Sequence, residues 1–445
     1  MLNIVAFLAV VAGQAQAAQS LHAAGVFTIG SGASGVAIQP QTEFTLDEAI
    51  AFGAANSPVL AAAKAQVDAG RARLTSARSW EPLHLDPGVS IGGEEAVAVV
   101  TQTIEISGRL RARSAVARHG LQVVQRQYDA AERDLTRDIR TAYADLVEAQ
   151  SALVVATDVT DVIRRLRGSI LRQVEVGEIP AQELIKADIE LLRAELETVR
   201  TQNSLDRASQ AFNVTIGRAV ELPATASEPT TFTLLVAELG DLLAEALLSR
   251  PEIAAAQSAV MAAQANVGVQ RSDFRPDLEL SLLQNTDLRS PEFYSLKSTG
   301  LSLSLAFPIF DTGRIRGRVR EAEAQVRAFE FVLLDTRLLV SQDVTDAFSR
   351  VRATETLVSV YVDSILPGAQ ELLSKAEFGY GRGASTLLEF LEAQRTYRET
   401  LLEHLVALAD NAKARADLDR AVGRGAVTTA VSNLEQNTSA SGGRR

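Results

Sequence analysis

Glu389 and Glu392 stand three residues apart, a spacing that sets both carboxylates on one face of a helix. Carboxylates so placed attract cations and repel anions, and the same spacing is also what an ordinary solvated helix face shows. Little else in the chain has the residue types for chemistry. There is no cysteine, which removes disulfides, thiolate metal sites and a lipidated N-terminal cysteine. The four histidines (His22, His84, His119, His404) are scattered without an H-x-x-x-H pair, and Met1 and Met261 are the only methionines, so no metal site or soft-metal relay is expected. No paired catalytic carboxylates, Ser-His-Asp set or phosphate loop stands out, so neither an enzyme nor a cofactor is expected. Arg109, Arg111, Arg113, Arg314, Arg316, Arg318 and Arg320 cluster where long helices leave two hairpins. With a formal net charge of −11 they do not read as a nucleic-acid surface, which needs an overall basic field. A solvated collar fits them better.

The elements that must position these residues are mostly helix. Of 445 residues only 5% are aromatic, with Trp80 the single tryptophan, and the helix formers Ala, Leu, Arg and Glu are abundant. The opening L-N-I-V-A-F-L-A-V-V-A-G-Q-A-Q-A-A has a short apolar run, Ile4 to Ala12, then A-Q-A at 15–17. It reads as a secretory signal cleaved before Ala18, although no Lys or Arg precedes the apolar run. No stretch of about 20 apolar residues follows, so no membrane-spanning helix is expected.

The chain is written twice. V-E-V-G-E-I-P-A-Q-E-L-I-K-A (174–187) aligns with Y-G-R-G-A-S-T-L-L-E-F-L-E-A (380–393). Gly177 matches Gly383 and Gly217 matches Gly423, each pair 206 positions apart; I-S-G-R (106–109) matches D-T-G-R (311–314) at 205. An almost constant offset over so long a stretch marks a duplicated half.

Each copy repeats one order of elements. A half-length helix (46–78, with the capping-box spacing Thr45 to Glu48; then 239–273) carries Pro58 or Pro251 near its start. A hairpin follows. In 300–310, Leu301, Leu303, Leu305, Phe307 and Ile309 alternate with small or polar residues, the period of a strand with one apolar face. Then comes a rod. Leu135, Ile139, Ala142, Leu146, Ala149 and Leu153 step by four and three, as do Val340, Val344, Ala347, Val351, Thr354, Val358, Tyr361 and Ile365. These heptads predict side-by-side packing in rods roughly 100 Å long, the second interrupted and kinked at Pro367. The boundaries read as a signal 1–17; a flexible segment 18–43; a first repeat 44–217 (hairpin about 85–106, rod 109–174, return helix 181–216); a linker 218–238; a second repeat 239–423 (hairpin about 277–310, rod 314–380, return helix 385–421); and an unstructured tail 424–445.

Four strands cannot close a barrel, and an open sheet edge cannot face lipid. Bacterial barrels have at least eight strands, so several chains would share one; three would supply twelve strands and enclose a lumen on the order of 25 Å at the helices.

The strings T-Q-T-I-E-I-S-G-R-L-R-A-R (101–113) and F-P-I-F-D-T-G-R-I-R (307–316), in this order, resemble the hairpin-to-rod boundaries of the TolC-like outer-membrane efflux proteins, the first of them those of the heavy-metal, CzcC/CusC-like subgroup. The resemblance covers about 44–423. It implies a mainly α homotrimer with a periplasmic α-helical barrel and a shared 12-stranded outer-membrane β-barrel, embedded in outer-membrane lipid. It implies a passive exit duct, with a periplasmic adaptor and an inner-membrane pump of the resistance-nodulation-division type as partners. It also implies that Val176, Gly177 and Glu178 at one turn, and Arg382, Gly383 and Ala384 at the other, form the adaptor-contacting tip. Glu389 and Glu392, with Tyr380 just before the turn, then fall at the aperture, where the family often has Asp. Threefold carboxylate rings there would select cations and make closure pH-sensitive. Two other readings stay open: a type I protein secretion duct, and a periplasmic coiled-coil scaffold that never enters a membrane.

Overall fold

The computed structural model describes residues 42–89, 95–287, 296–306 and 311–424. The expected signal, nearly all of segment 18–43 and the tail beyond Arg424 lie outside these. A stretch without proline can run as helix without losing a backbone bond, and the chain does so from Arg109 to Glu175, 67 residues in one helix. In order the elements are β1 (Glu43–Phe44), α1 (Leu46–Asn56), α2 (Pro58–Arg78), β2 (His84–Val89), β3 (Glu95–Ile104), α3 (Arg109–Glu175), α4 (Ala181–Thr215) and β4 (Thr225–Ala226). The second half follows with α5 (Leu239–Ser249), α6 (Pro251–Ser272), β5 (Asp277–Asp287), β6 (Leu296–Ala306), α7 (Arg314–Val360), a π-helical turn (Tyr361–Ile365), α8 (Leu366–Gly381) and α9 (Leu387–Val422).

The helices lie in a single layer. Toward the strands the order across it is α2, α3, α6, α7; toward the turns it is α4, α3, α9, α8. The sheet has the matching order β2-β3-β5-β6, antiparallel throughout. The chain is thus four helices wide at each height and four strands wide above them. The expected heptads form the seam: Leu135, Ile139, Leu146 and Ala149 are buried, and so are Val340, Val344, Ala347, Val351 and Val358. Beyond Val358 the rhythm breaks. The π-turn inserts the extra residue that Pro367, which has no N–H, would otherwise demand as a broken bond. Tyr361 is left half-buried, Ile365 exposed, and the next buried residue is Ala369.

Three other expectations change. The half-helices are each split, at Ser57 and at Arg250, because the residue before proline leaves the helical region. The capping box of Thr45 and Glu48 starts the first of them: Glu48 N donates to Thr45 Oγ1 at 3.2 Å and Thr45 N to Glu48 Oε2 at 3.0 Å. The expected linker contains β4, which pairs in parallel with β1, so Glu43, read as flexible, is a strand residue. Phe44 beside it is buried against Phe52 and Phe212. Tyr143 Oη donates to the Phe44 carbonyl (3.1 Å) and accepts from Glu228 N (3.2 Å), tying linker to rod. Arg424, placed in the tail, pairs with Glu245.

Each repeat has its own apolar core at the split of its half-helix, one around Phe44, Ile139, Leu146 and Phe212, the other around Leu242, Val344, Val351 and Val422. A polar network joins them. Arg133 of α3, 2% exposed, meets Glu252 of α6 at 3.0 Å. Glu252 also faces Arg250, which reaches Asp343 of α7 (3.1 Å) and the Ala421 carbonyl at the end of α9 (3.0 Å). Arg137–Asp417 and Arg140–Asp419 add two α3–α9 bridges. Burial alone would raise the Glu252 carboxyl; the hydrogen bonds and charge of Arg133, with the charge of Arg250, hold it below the ordinary glutamate value.

Two outcomes follow. A carboxyl with a lowered folded-state value stabilises fully above the ordinary glutamate range and loses that contribution as pH falls from that range through the lowered value. Glu252→Gln should therefore lower stability by about 2–3 kcal/mol at neutral pH, and the difference from the parent in thermal midpoint should shrink as the buffer is taken below about pH 4. Separately, Gly177 (φ 79°) and Gly217 (φ 76°) both hold left-handed backbone, which costs a residue with a side chain ~1–2 kcal/mol. Only at Gly217 would a Cβ also lie 2.6 Å from the Asn56 carbonyl oxygen. Gly217→Ala should thus depress the melting midpoint clearly more than Gly177→Ala.

Candidate functional site: a tip of two turns and a leucine-faced sheet

At the end away from the strands, α3 and α8 stop in the same way. Glu178 N donates to the Gln173 carbonyl (2.9 Å) and Gly177 N to that of Val174 (3.0 Å). Ala384 N donates to Gly379 (2.8 Å) and Gly383 N to Tyr380 (3.1 Å). This double closure needs left-handed backbone at the residue after the cap, which glycine takes without strain. The six residues expected at the tip, Val176, Gly177, Glu178, Arg382, Gly383 and Ala384, are all exposed. The Arg382 guanidinium lies 4.0 Å from the centre of the Phe378 ring. One apolar cluster, with Ile170, Ala187 and Leu387 at its centre and Val174, Tyr380 and Leu391 around it, sets the two turns side by side.

The three residues expected at an aperture have different surroundings. Tyr380 stacks on Phe390 (centroids 5.7 Å, planes 22° apart) inside that cluster. Burial, then the nearby Glu183 charge, raises its phenol above the ordinary value. Its ring is committed to packing. Glu389 closes a capping box at the start of α9: its carboxylate accepts from Thr386 N at 2.9 Å while Glu389 N donates to Thr386 Oγ1 at 3.2 Å. T-L-L-E (386–389) has the same spacing as T-L-D-E (45–48), so the sequence carried the signal for this role. Glu392 is exposed, and its carboxylate has no hydrogen-bond or ion-pair partner among the described residues. Sequence reasoning missed Glu190, a largely buried carboxylate on α4 that meets Arg193 at 3.3 Å and Arg395 of α9 at 3.7 Å. Arg395 lies one turn past Glu392, and this pair crosses between the repeats. Residue spacing gives no hint of it, since the partners lie on separate helices.

At the other end the strand register sorts the side chains. Residues directly opposite share a face. Leu301, Leu303 and Leu305 oppose Leu282, Leu280 and Leu278, and these oppose Val100, Gln102 and Ile104. Leu85 joins Val100 on the same side. The other face carries Ser302 and Ser304 opposite Ser281 and Glu279, then Thr101 and Thr103. Val97 and Val99, the valines that blurred the sequence pattern, fall on this polar face. Leu301, Leu303 and Leu305 are 74%, 65% and 50% exposed. Phe307 and Ile309 lie outside the described residues.

Between sheet and rods sits the arginine collar. Arg109 and Arg318 share Asp273; Arg113 pairs with Glu105; Arg316 pairs with Asp311. Arg111, Arg314 and Arg320 are exposed without an ion pair among the described residues. Among the described residues no helix is long and apolar enough to cross a membrane, and no His/Cys/Asp/Glu group could hold a metal ion.

Known proteins share both pattern and shape. The family described as "Outer membrane efflux protein" matches residues 53–218 and 242–424. The cobalt-zinc-cadmium resistance protein CzcC of Cupriavidus metallidurans is 26% identical over 383 residues, covering 85% of this chain and 90% of that protein. The cation efflux system protein CusC of Escherichia coli K12 is 25% identical over 316 residues, covering 67% of each. Among solved structures, CusC superposes with a TM-score of 0.72 at 20% identity (86% of this chain, 92% of that one). The Campylobacter jejuni CmeC outer membrane channel also gives 0.72, at 15% identity (87% and 88%). The family match falls on both halves of the duplicated unit and leaves out most of the segment that joins them. The chain therefore belongs to the outer membrane efflux protein family, as an outer-membrane channel that extends into the periplasm.

Proposed function

We propose that three copies of this chain close one tube, and that the tube is the exit duct of a tripartite pump that exports heavy-metal cations. The observation that carries this reading is that the chain is open along the same two edges from end to end. β2 and β6 have no outer partner among the described residues. Below β2, the edge helix α4 carries Ile185, Ile189, Leu192, Leu196 and Val199, in steps of four and three, all exposed. Below β6, the other edge exposes Leu338, Leu357 and Leu372 of α7 and α8. An apolar heptad face needs a partner helix, and an unpaired strand edge in lipid needs a partner strand. Cyclic assembly supplies both at once. With four strands and four helices per chain, three copies would give twelve of each, within the range of bacterial barrels. A periplasmic scaffold has no use for the leucine band.

The exposed turns at Gly177 and Gly383 are then the surface for a periplasmic adaptor, which links the duct to an inner-membrane pump of the resistance-nodulation-division type. The reading of metal cations as cargo is supported by the relatives, one named for cobalt, zinc and cadmium resistance and one for cation efflux. At the tip, Glu392 rather than Glu389 is the carboxylate left for the lumen, because the cap holds Glu389.

Two experiments test these points. Leu303→Arg, which puts a charge on the lipid face at a cost of ~2–4 kcal/mol, and Leu192→Glu, which charges the α4 seam, should each abolish outer-membrane oligomers in heat-modifiable gel migration. Normal oligomers from both variants would sink the shared-barrel reading. In planar bilayers, Glu392→Ala should weaken block by divalent cations with little loss of thermal stability. Glu389→Ala should chiefly destabilise the tip, by about 1 kcal/mol.

A further inference from the structure

The chain carries a net charge of −11, yet its junction between sheet and rods is basic. Residues 73–81, 105–118, 271–277 and 311–320 together hold twelve arginines, no lysine and five acidic residues. Four of those acids are occupied: Glu105, Asp273 and Asp311 by arginines, and Asp277 by the Ser107 N–H. Part of this collar forms a recess of about 500 Å³ between the end of α2 and the start of α3, lined by Arg73, Ser76, Ser79, Trp80 and Glu81. Arg113 forms its inner wall and is already used, donating to the Ser79 carbonyl (2.8 Å) and the Ala77 carbonyl (3.2 Å) and pairing with Glu105. Arg73 is different. It is exposed and has no ion pair among the described residues. The recess adjoins a second, of about 400 Å³, farther from the strands, whose walls combine Val116, Ala117 and Leu121 with Arg73, Arg113 and Asn266. Trp80, 61% exposed, stands between this site and the leucine band, which begins at Leu85.

We propose that the recess at Arg73 and Trp80 binds the headgroup of a glycerophospholipid of the periplasm-facing leaflet. Arg73 takes the phosphate and Trp80 lies at headgroup level, while the acyl chains run along the leucine band that begins at Leu85. The inference rests on the outer-membrane placement of the sheet. Three features fit this occupant together. A free guanidinium matches a phosphate oxygen pair. An exposed tryptophan at the edge of an apolar band is the ordinary residue of a membrane interface. The charge is reversed locally against the acidic whole, so the collar draws anionic headgroups that the rest of the surface repels.

The test uses the full chain as detergent-solubilised oligomers, titrated with phosphatidylglycerol and followed by native mass spectrometry. Saturable binding is expected in the parent, weakened about tenfold by Arg73→Gln combined with Trp80→Ala, the loss of one charge-assisted contact and its packing. Arg73→Lys should lie between, and Arg207→Gln, far from the collar on α4, should change nothing. Equal affinity in parent and double variant, or binding that never saturates, overturns the proposal. Saturable binding of inorganic phosphate alone at the same concentrations also overturns it, because the site would then read a free anion. Planar-bilayer conductance of the same samples separates the two levels: conducting oligomers with unaltered lipid binding remove the lipid site and leave the duct standing, whereas a parent that neither conducts nor binds removes both.

Discussion

Open edges govern this molecule. A sheet that ends at β2 on one side and β6 on the other leaves two rows of backbone N–H and C=O groups without partners among the described residues, and in a bilayer each such group costs several kcal/mol. The same two sides of the chain carry exposed apolar rows on α4 and on α7 and α8. A single chain cannot satisfy either. Sheet and helices demand the same solution, more copies of the same slice, and they demand it along the same lines because strand order and helix order run in parallel across the layer.

Stability within the slice is unevenly placed. At mid-height the two cores and the Arg133–Glu252–Arg250–Asp343 network lock four helices together. An arginine 2% exposed persists there only because carboxylates and carbonyls surround the site. Toward the tip, packing thins. Between 160 and 175 the first rod buries Thr160, Ile163 and Ile170, while the matching α8 buries only the small Ala369 and Gly379. The second hairpin also begins just past a π-turn. Regions with few buried apolar contacts open at the lowest free-energy cost, so the second hairpin is the softer of the two tips. A small cluster around Ile170 and Leu387 holds the two turns together.

Reading for charge and reading for caps gave different answers at one residue. Glu389 looks like an aperture carboxylate when it is paired with Glu392, and like a helix cap when it is paired with Thr386; the backbone geometry realises the cap. Both patterns were present in the sequence, so this was a choice between visible signals. Tyr380 is another matter. Its partner Phe390 lies across a turn, and only the angle at which that turn closes brings the rings together. The π-turn had a visible cause in Pro367, but whether the helix kinks, stops or widens depends on how its neighbours hold it. β1 and β4 are too short to show a periodicity, and they pair because the segment after Gly217 folds back along the chain entry.

What the sequence determined by itself is everything set by local geometry. The duplication, the uninterrupted rod from Arg109, the glycine stops at 177 and 383 and the leucine alternation of 301, 303 and 305 are all written in the order of residues, because turn closure and side-chain direction repeat with a fixed short period. What only the tertiary structure decided is which charges are spent. Arg133 and Glu252 lie 119 positions apart, and Arg140 and Asp419 lie 279 apart. No spacing rule links such residues. They meet because four helices pack in one order, and that order settles which arginines are neutralised and which, like Arg73, stay available.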